Sequence, residues 1–273
     1  MAALAVHWDD CSVAIGNRDA ILGESWSLQP ERAAALPAAA GAATGSPVAS
    51  RDALLLLDRL LARSGVGLAE VKQLCFARGP GAFTSLRVAA GLVQGLSLAT
   101  SIPVAGICSL AALIAHEPDW RSGDGSRSWL QLAALDARMG ECYFAVHLCR
   151  GGAHPATVLE PAVASPARAI AAFEAALAGH PGVAPVLAGS AFRLLPELAG
   201  WAARTGNDPA QAGARAPTAE AVLAVAASEG APTPGPARSA LPVYVRDKIA
   251  LDVTEQQASA AARARAGTVR AGA

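Results

Sequence analysis

Charge and aromatic side chains are what this sequence has least of: 16% of its 273 residues are charged and 4% are aromatic. The charges also cancel, at 22 basic against 22 acidic residues, so no overall field draws the chain to nucleic acid or to an anionic membrane. The arginines are dispersed with no aromatic stripe between them, and Arg263, Arg265 and Arg270 make only a thin basic tail. Direct RNA binding therefore has little support. Long apolar runs are absent as well, since none approaches the roughly 20 residues of a membrane helix. The start, MAALAVHWDD, lacks a basic region and reaches acid within nine residues, which reads as no signal peptide and makes the cytoplasm the expected location.

Closely spaced metal ligands and known nucleophile settings are missing too. The five cysteines, Cys11, Cys75, Cys108, Cys142 and Cys149, are odd in number and scattered through apolar runs, as buried reduced thiols are. The five histidines form neither an HxxxH nor an HExxH pair, so no metal site is expected. There is no GxSxG elbow, no Gly-Lys-Ser/Thr of a P-loop, and no third glycine to complete a dinucleotide fingerprint. No cofactor is expected.

What remains is a chain 53% apolar, able to bury the core of one large domain or two small ones. Its first 28 residues hold three short runs, LAVHW, CSVAI and ILGESWSL, with polar or Gly-containing breaks between them, which predict antiparallel strands. Residues 30 to 49 are an Ala, Gly and Pro stretch of weak periodicity, read as a loop. Residues 50 to 65 predict a helix, with Leu54, Leu57 and Leu61 on one face, Leu56 and Leu60 beside it and Leu55 opposite; it is apolar over more than one face, so either its own core or a partner covers it. QLCFAR predicts a buried strand, 84 to 100 a small-residue helix, IPVAGI a strand, and Ser109 the cap of a further helix. Residues 117 to 128 read as a surface loop. WLQLAALD and ECYFAVHL form a hairpin, and a strand, a helix, a strand and a helix follow. Hairpins followed by alternating strands and helices, twice over, describe an α/β protein of two similar lobes, 1–108 and 109–253, with a disordered tail over 254–273.

Two features of this layout bear chemistry. In ARGPGAFTSLR, Gly79, Pro80 and Gly81 turn a strand into a helix that Thr84 is placed to cap. A helix start is an anion site in some proteins, so a working phosphate corner and a purely structural one both stand, with the structural one favoured. Arg87, a cation in the early turns of a helix, opposes the dipole and calls for an anionic companion. Gly91 and Gly95 lie four apart on one helical stripe and cost about 1 kcal/mol each against alanine, which points to a close neighbour pressing on the backbone. Asp136 and Glu141 flank the hairpin turn; as paired carboxylates they would suit acid-base work, but acids at turn ends more often hold the turn itself.

Three stretches taken together, RGPGAFTSLRVAAGLVQGLSLATSIPVAGICSLAAL, LDARMGECY and LPVYVRDK, resemble the bacterial TsaB (YeaZ) family and span residues 78 to 248. The resemblance implies a two-lobed fold of the actin, sugar-kinase and Hsp70 class (ASKHA), and a protein that is not itself an enzyme. It implies partners instead: the TsaD transferase, the ATPase TsaE, tRNA only through their complex in threonylcarbamoyladenosine modification, and a second copy of the chain in isolation. In that family the two long helices of the first lobe meet TsaD, which singles out 50–64 and 84–99 here, with Leu54, Leu57, Leu61, Leu86, Gly91 and Gly95 as the interface. Gly79, Pro80, Gly81, Phe83, Thr84, Arg87, Asp136 and Arg138 carry the motifs as structural residues. The chain departs from the family at His7, Trp8, Asp9 and Asp10, a shortened turn with a bulky ring and an extra acid where catalytic relatives hold phosphate, which argues against bound nucleotide. The rival expectations are an ATP-dependent transferase or peptidase-like enzyme of the same class, and a kinase-like remnant binding a small ligand between lobes.

Overall fold

A computed structural model describes residues 2–6, 10–16, 21–27, 49–122 and 127–246. The turn at His7 to Asp9, most of the 30–49 stretch, Lys248 and the tail arginines lie outside the described residues. Period-2 patterning builds the first sheet. Strands β1 (Ala2–Val6), β2 (Asp10–Gly16) and β3 (Ile21–Ser27) run antiparallel, and β4 (Leu74–Gly79) and β5 (Val104–Cys108) join parallel to β1, in the order β3-β2-β1-β4-β5. Alternate residues face opposite layers. Val13, Ile15, Leu74 and Phe76 pack on one side against helices α1 (Ala49–Ser64) and α2 (Phe83–Thr100), while Ala14, Cys75 and Ala77 face the other side.

The second sheet repeats this plan. β6 (Ser128–Asp136), β7 (Cys142–Arg150) and β8 (Ala156–Ala164) form a meander, and β9 (Ala184–Ala188) adds parallel to β6 as β4 adds to β1. Short helix α3 (Ser109–Ala112) links the sheets, and α4 (Pro118–Ser122) follows. Beyond β8 come α5 (Pro166–Gly179), α6 (Ala191–Leu194), α7 (Pro196–Arg204), α8 (Pro209–Ala214) and α9 (Ala219–Ala226). Phe173 of α5 anchors the outer layer, edge-on to Phe144 at 5.8 Å and close to Phe192 and Trp201 at 6.2 and 5.9 Å. Rings in these offset and edge arrangements add to plain burial.

Three local readings change. Cys108, not Ser109, stands at the cap of α3, and Ser109 is buried inside the helix. The stretch 117 to 128 is not all surface loop: it contains α4, and Trp120 is 4% exposed with its indole N–H donating to Ala153 O at 2.8 Å. Finally, α9 packs on the first sheet although it comes late in the chain, and Ala219 N–H donates to Ser12 Oγ of β2 at 2.9 Å. A cut at 108/109 therefore separates the sheets in sequence but not in space.

Candidate functional site

The three quoted stretches meet at one place. Strand β4 ends at Gly79, whose φ of 112° lies in the region that favours glycine. A Cβ there would stand 2.7 Å from Val243 O, so the missing side chain is what lets the 241–246 segment run against the strand end. That segment is held by Val243 N–H donating to Arg78 O at 2.7 Å. The Gly79–Pro80 peptide is cis, and α2 begins three residues after Pro80.

Ala82 is the cap of α2 and offers no side-chain oxygen; Thr84, the expected cap, is an exposed residue already inside the helix. Arg87 finds a companion, but not an anionic one. Its guanidinium lies 3.8 Å from the centre of the Phe83 ring, and its Nε–H donates to Tyr244 Oη at 3.0 Å. Phe83 and Tyr244 have their ring centres 5.1 Å apart. The negative faces of the rings attract the cation that a carboxylate was expected to hold.

From Tyr244 the segment crosses to the second sheet. Arg246 Nη2 donates to Glu141 Oε2 at 2.6 Å and to Ala137 O at 3.2 Å, so the segment ties the β4–α2 corner to the β6–β7 turn. In that turn Arg138, Met139 and Gly140 all have positive φ, of 64°, 58° and 79°. Asp136 holds it by accepting the Arg138 backbone N–H at 3.0 Å and the Arg138 guanidinium at 3.3 Å. Asp136 and Glu141 are thus each paired with an arginine. They serve the turn, and do not form a couple for acid-base work.

Corner, turn and segment wall a cleft of about 800 Å³, closed on its far side by Ser190 and Arg193 and by the α8 region. Gly189, φ 118°, sits where a Cβ would collide with Ala134 O, which lets the α6 start press against the second sheet.

The expected interface residues divide. Leu57 and Leu86 are 6% and 3% exposed and belong to the core, which corrects their assignment to a docking face. The sheet covers the side of α1 that carries Leu57 along with Leu56 and Leu60, and Leu86 reaches in toward Gly79. Leu61 is half-buried, and Leu54 is exposed. Gly91 and Gly95 are exposed, and among the described residues nothing lies within 4 Å of where a Cβ would stand, so none of those residues is the neighbour expected to press on them. Sequence reasoning missed Leu98, 77% exposed, and set aside Leu55, also exposed. Leu98 was findable, because it lies three residues beyond Gly95 and so on the same stripe.

The remaining polar groups are quiet. Burial pushes the Cys75 and Cys142 thiols up to about 12 and raises Cys108 and Cys149 as well, which keeps them protonated and unreactive near neutrality. Burial lowers His147 to about 4 and lowers His154 in the same direction. Among the described residues no three His, Cys, Asp or Glu side chains gather as a metal would need, and no helix is long and apolar enough to cross a membrane.

Comparison with known proteins gives the family. The family model for TsaD, tRNA N6-adenosine threonylcarbamoyltransferase, matches residues 49–188, just over half of the chain. The tRNA threonylcarbamoyladenosine biosynthesis protein TsaB of Haemophilus influenzae is 42% identical over 91 residues, 33% of this chain and 36% of that protein. TsaB of Escherichia coli is 38% identical over 92 residues, 34% of this chain and 38% of that protein. The chain thus matches little more than a third of the length of these curated relatives. A crystal structure described as an uncharacterised protein with similarity to peptidase YeaZ, from Pseudomonas aeruginosa, superposes with a TM-score of 0.64 at 28% identity, covering 90% of this chain and 98% of that one. With its TsaD-type domain over 49–188 and relatives of this kind in both sequence and fold, the chain belongs to the TsaD family and, within it, to the TsaB (YeaZ) proteins.

Proposed function

We propose that this chain is a non-catalytic subunit in the threonylcarbamoyladenosine modification of tRNA, which binds the TsaD transferase through the outer face of α1 and α2 and holds it in a competent form. The ATPase TsaE joins that assembly, tRNA is engaged only through it, and the work takes place in the cytoplasm. The two sheets with their helices are the lobes of an actin, sugar-kinase and Hsp70-like fold. In isolation the same helical face pairs two copies of the chain.

The observation that carries this reading is the outer surface of the two helices, which pack beside each other. It shows Leu54, Leu55 and Leu98 at 43%, 42% and 77% exposure, beside two bare glycines. Glycine in mid-helix lowers helix stability, and among the described residues nothing uses the space it leaves. A second helix laid along the Gly91–Gly95 stripe would bury the leucines and come close to the backbone.

The test is reconstitution with TsaD from the same organism. The purified chains are expected to elute together on gel filtration, and modification of tRNA is expected to depend on this chain. Absence of a complex, or full modification without the chain, refutes the reading.

A further inference from the structure

The outer surface of α1 and α2 continues past α2. Across the first sheet α1 lies over β2 and β3, α2 over β1 and β4, and the turn Ala237–Ser239 stands beside β5 and against α2. Gln94 of α2 donates to Ala240 O at 2.9 Å, and Arg87 Nε–H to Tyr244 Oη, so the 240–244 stretch follows α2 on the side away from α1. α2 is therefore the middle of three ridges. Its outward positions 91 and 95 are glycines, while the ridges beside it carry Leu54 and Leu55 on one side and Leu241, 62% exposed, on the other. A floor of bare backbone between leucine walls fits one packed helix.

The rim of this trough is cationic. Among the described side chains, the exposed charged residues of α1, α2 and the turn are Arg59, Arg63, Arg87 and Arg238 against Asp58. α2 itself carries no acid. Arg87 is held in place, its guanidinium 3.8 Å from the ring centre of Phe83 and 5.9 Å from that of Tyr244. Its Nε–H is used, yet its two terminal nitrogens donate to nothing among the described residues. A guanidinium stacked in advance loses little freedom when it grips a carboxylate with those nitrogens.

We propose that the trough takes an acidic helix of the TsaD transferase, with a carboxylate of that helix on Arg87, and that the same charge disfavours a second copy of this chain. This rests on the partner reading above and adds to it the chemistry that selects the partner. A two-fold pair uses one patch twice, so it would set the arginines of one copy against those of the other. Leucine walls and a glycine floor suit a packed helix and not a phosphate backbone, which sets RNA apart as the occupant.

Salt and charge reversal test it on the full chain with TsaD from the same organism. Raising salt from about 50 mM to about 500 mM is expected to weaken the complex with TsaD about ten-fold, and to leave self-association as strong or stronger. Arg87→Gln and Arg87→Glu, checked for fold by circular dichroism, are expected to weaken TsaD binding at low salt about ten-fold and about a hundred-fold, to reduce its salt dependence, and not to weaken self-association. Arg168→Glu, exposed on α5 and outside the trough, is expected to change neither association. The inference is overturned, with the partner reading intact, if the chain binds TsaD but both Arg87 variants bind as the unaltered chain does, or if salt weakens both associations alike. It is overturned as well if the chain alone binds tRNA and Arg87→Glu abolishes that binding. No complex with TsaD at either salt concentration overturns the partner reading itself, and this inference with it.

Discussion

Arg87 shows how far one side chain's role depends on residues remote in sequence. Its position near the start of α2 sets it against the helix dipole by a few tenths of a kcal/mol. The compensation arrives from 157 residues away, in the ring and hydroxyl of Tyr244. Tyr244→Ala removes the ring contact with Phe83, the cation's second ring and one hydrogen bond together. The expected loss is about 1 to 2 kcal/mol in urea unfolding, with Tyr244→Phe costing about half of that because the hydroxyl bond is partly exposed. Equal losses for the two variants would place the stabilisation in the hydroxyl, not in the rings.

His147 makes the second prediction at this scale. It lies in the middle strand of the β6–β7–β8 meander at 1% exposure, and burial lowers its pKa from an ordinary 6.5 to about 4. Folding therefore favours the neutral ring. The stability this represents is fully present above pH 6.5 and is lost as pH falls from 6.5 toward 4, by on the order of 3 kcal/mol. His154 shifts the same way, so it steepens the same acid limb. His147→Leu is expected to flatten the dependence of the urea midpoint on pH over that window; an unchanged slope would show that the ring is not what titrates.

At the scale of elements, α1 and α2 face two ways. Their inner sides complete the first core through Leu56, Leu60, Ala89 and Val93, all essentially unexposed. Their outer sides carry the bare glycines and Leu98. Gly91→Leu and Gly95→Leu are expected to leave the monomer as stable or slightly more so, since glycine in mid-helix costs about 1 kcal/mol and the added side chain meets open space. The same changes are expected to weaken self-association and TsaD binding at least ten-fold, read by analytical ultracentrifugation and by co-elution. A variant that is more stable yet binds unchanged places the interface elsewhere. Lost binding in an unfolded variant is excluded by the stability arm of the same experiment.

Across the whole molecule, two sheets of like topology are joined by two pieces that come late in the chain. α9 fills the layer under the first sheet, with Val222 and Leu223 fully buried, and the 241–246 segment spans from Arg78 to Glu141. Both are short, and both link residues distant in sequence. The cleft exists only because this segment and the two turns converge, so it is a property of the assembled chain and of no single stretch. The proposed partner face, by contrast, belongs to two neighbouring elements and is expected to survive changes around the cleft.

The order of the strands and of the longer helices was legible from residue spacing because it rests on local chemistry, whereas α4 and the three short helices between β9 and α9 were not read. Alternation in CSVAI and QLCFAR, Gly and Pro at the turns, and the acids bounding the β6–β7 turn act within a few residues of themselves. The convergence of the three stretches was not legible, although each was visible on its own. The sides of α1 and α2 were misjudged at Leu57 and Leu86 for a related reason: a helix apolar over more than one face does not say which face the sheet will take. By itself, then, the sequence determined the strands and the main helices, the repeated α/β plan and the family, but not α4 or the short helices α6 to α8. Which leucines are buried, which cation meets which ring, and that two turns and a late segment wall one cleft were decided only in the tertiary structure, because burial and pairing depend on distances between residues more than a hundred positions apart.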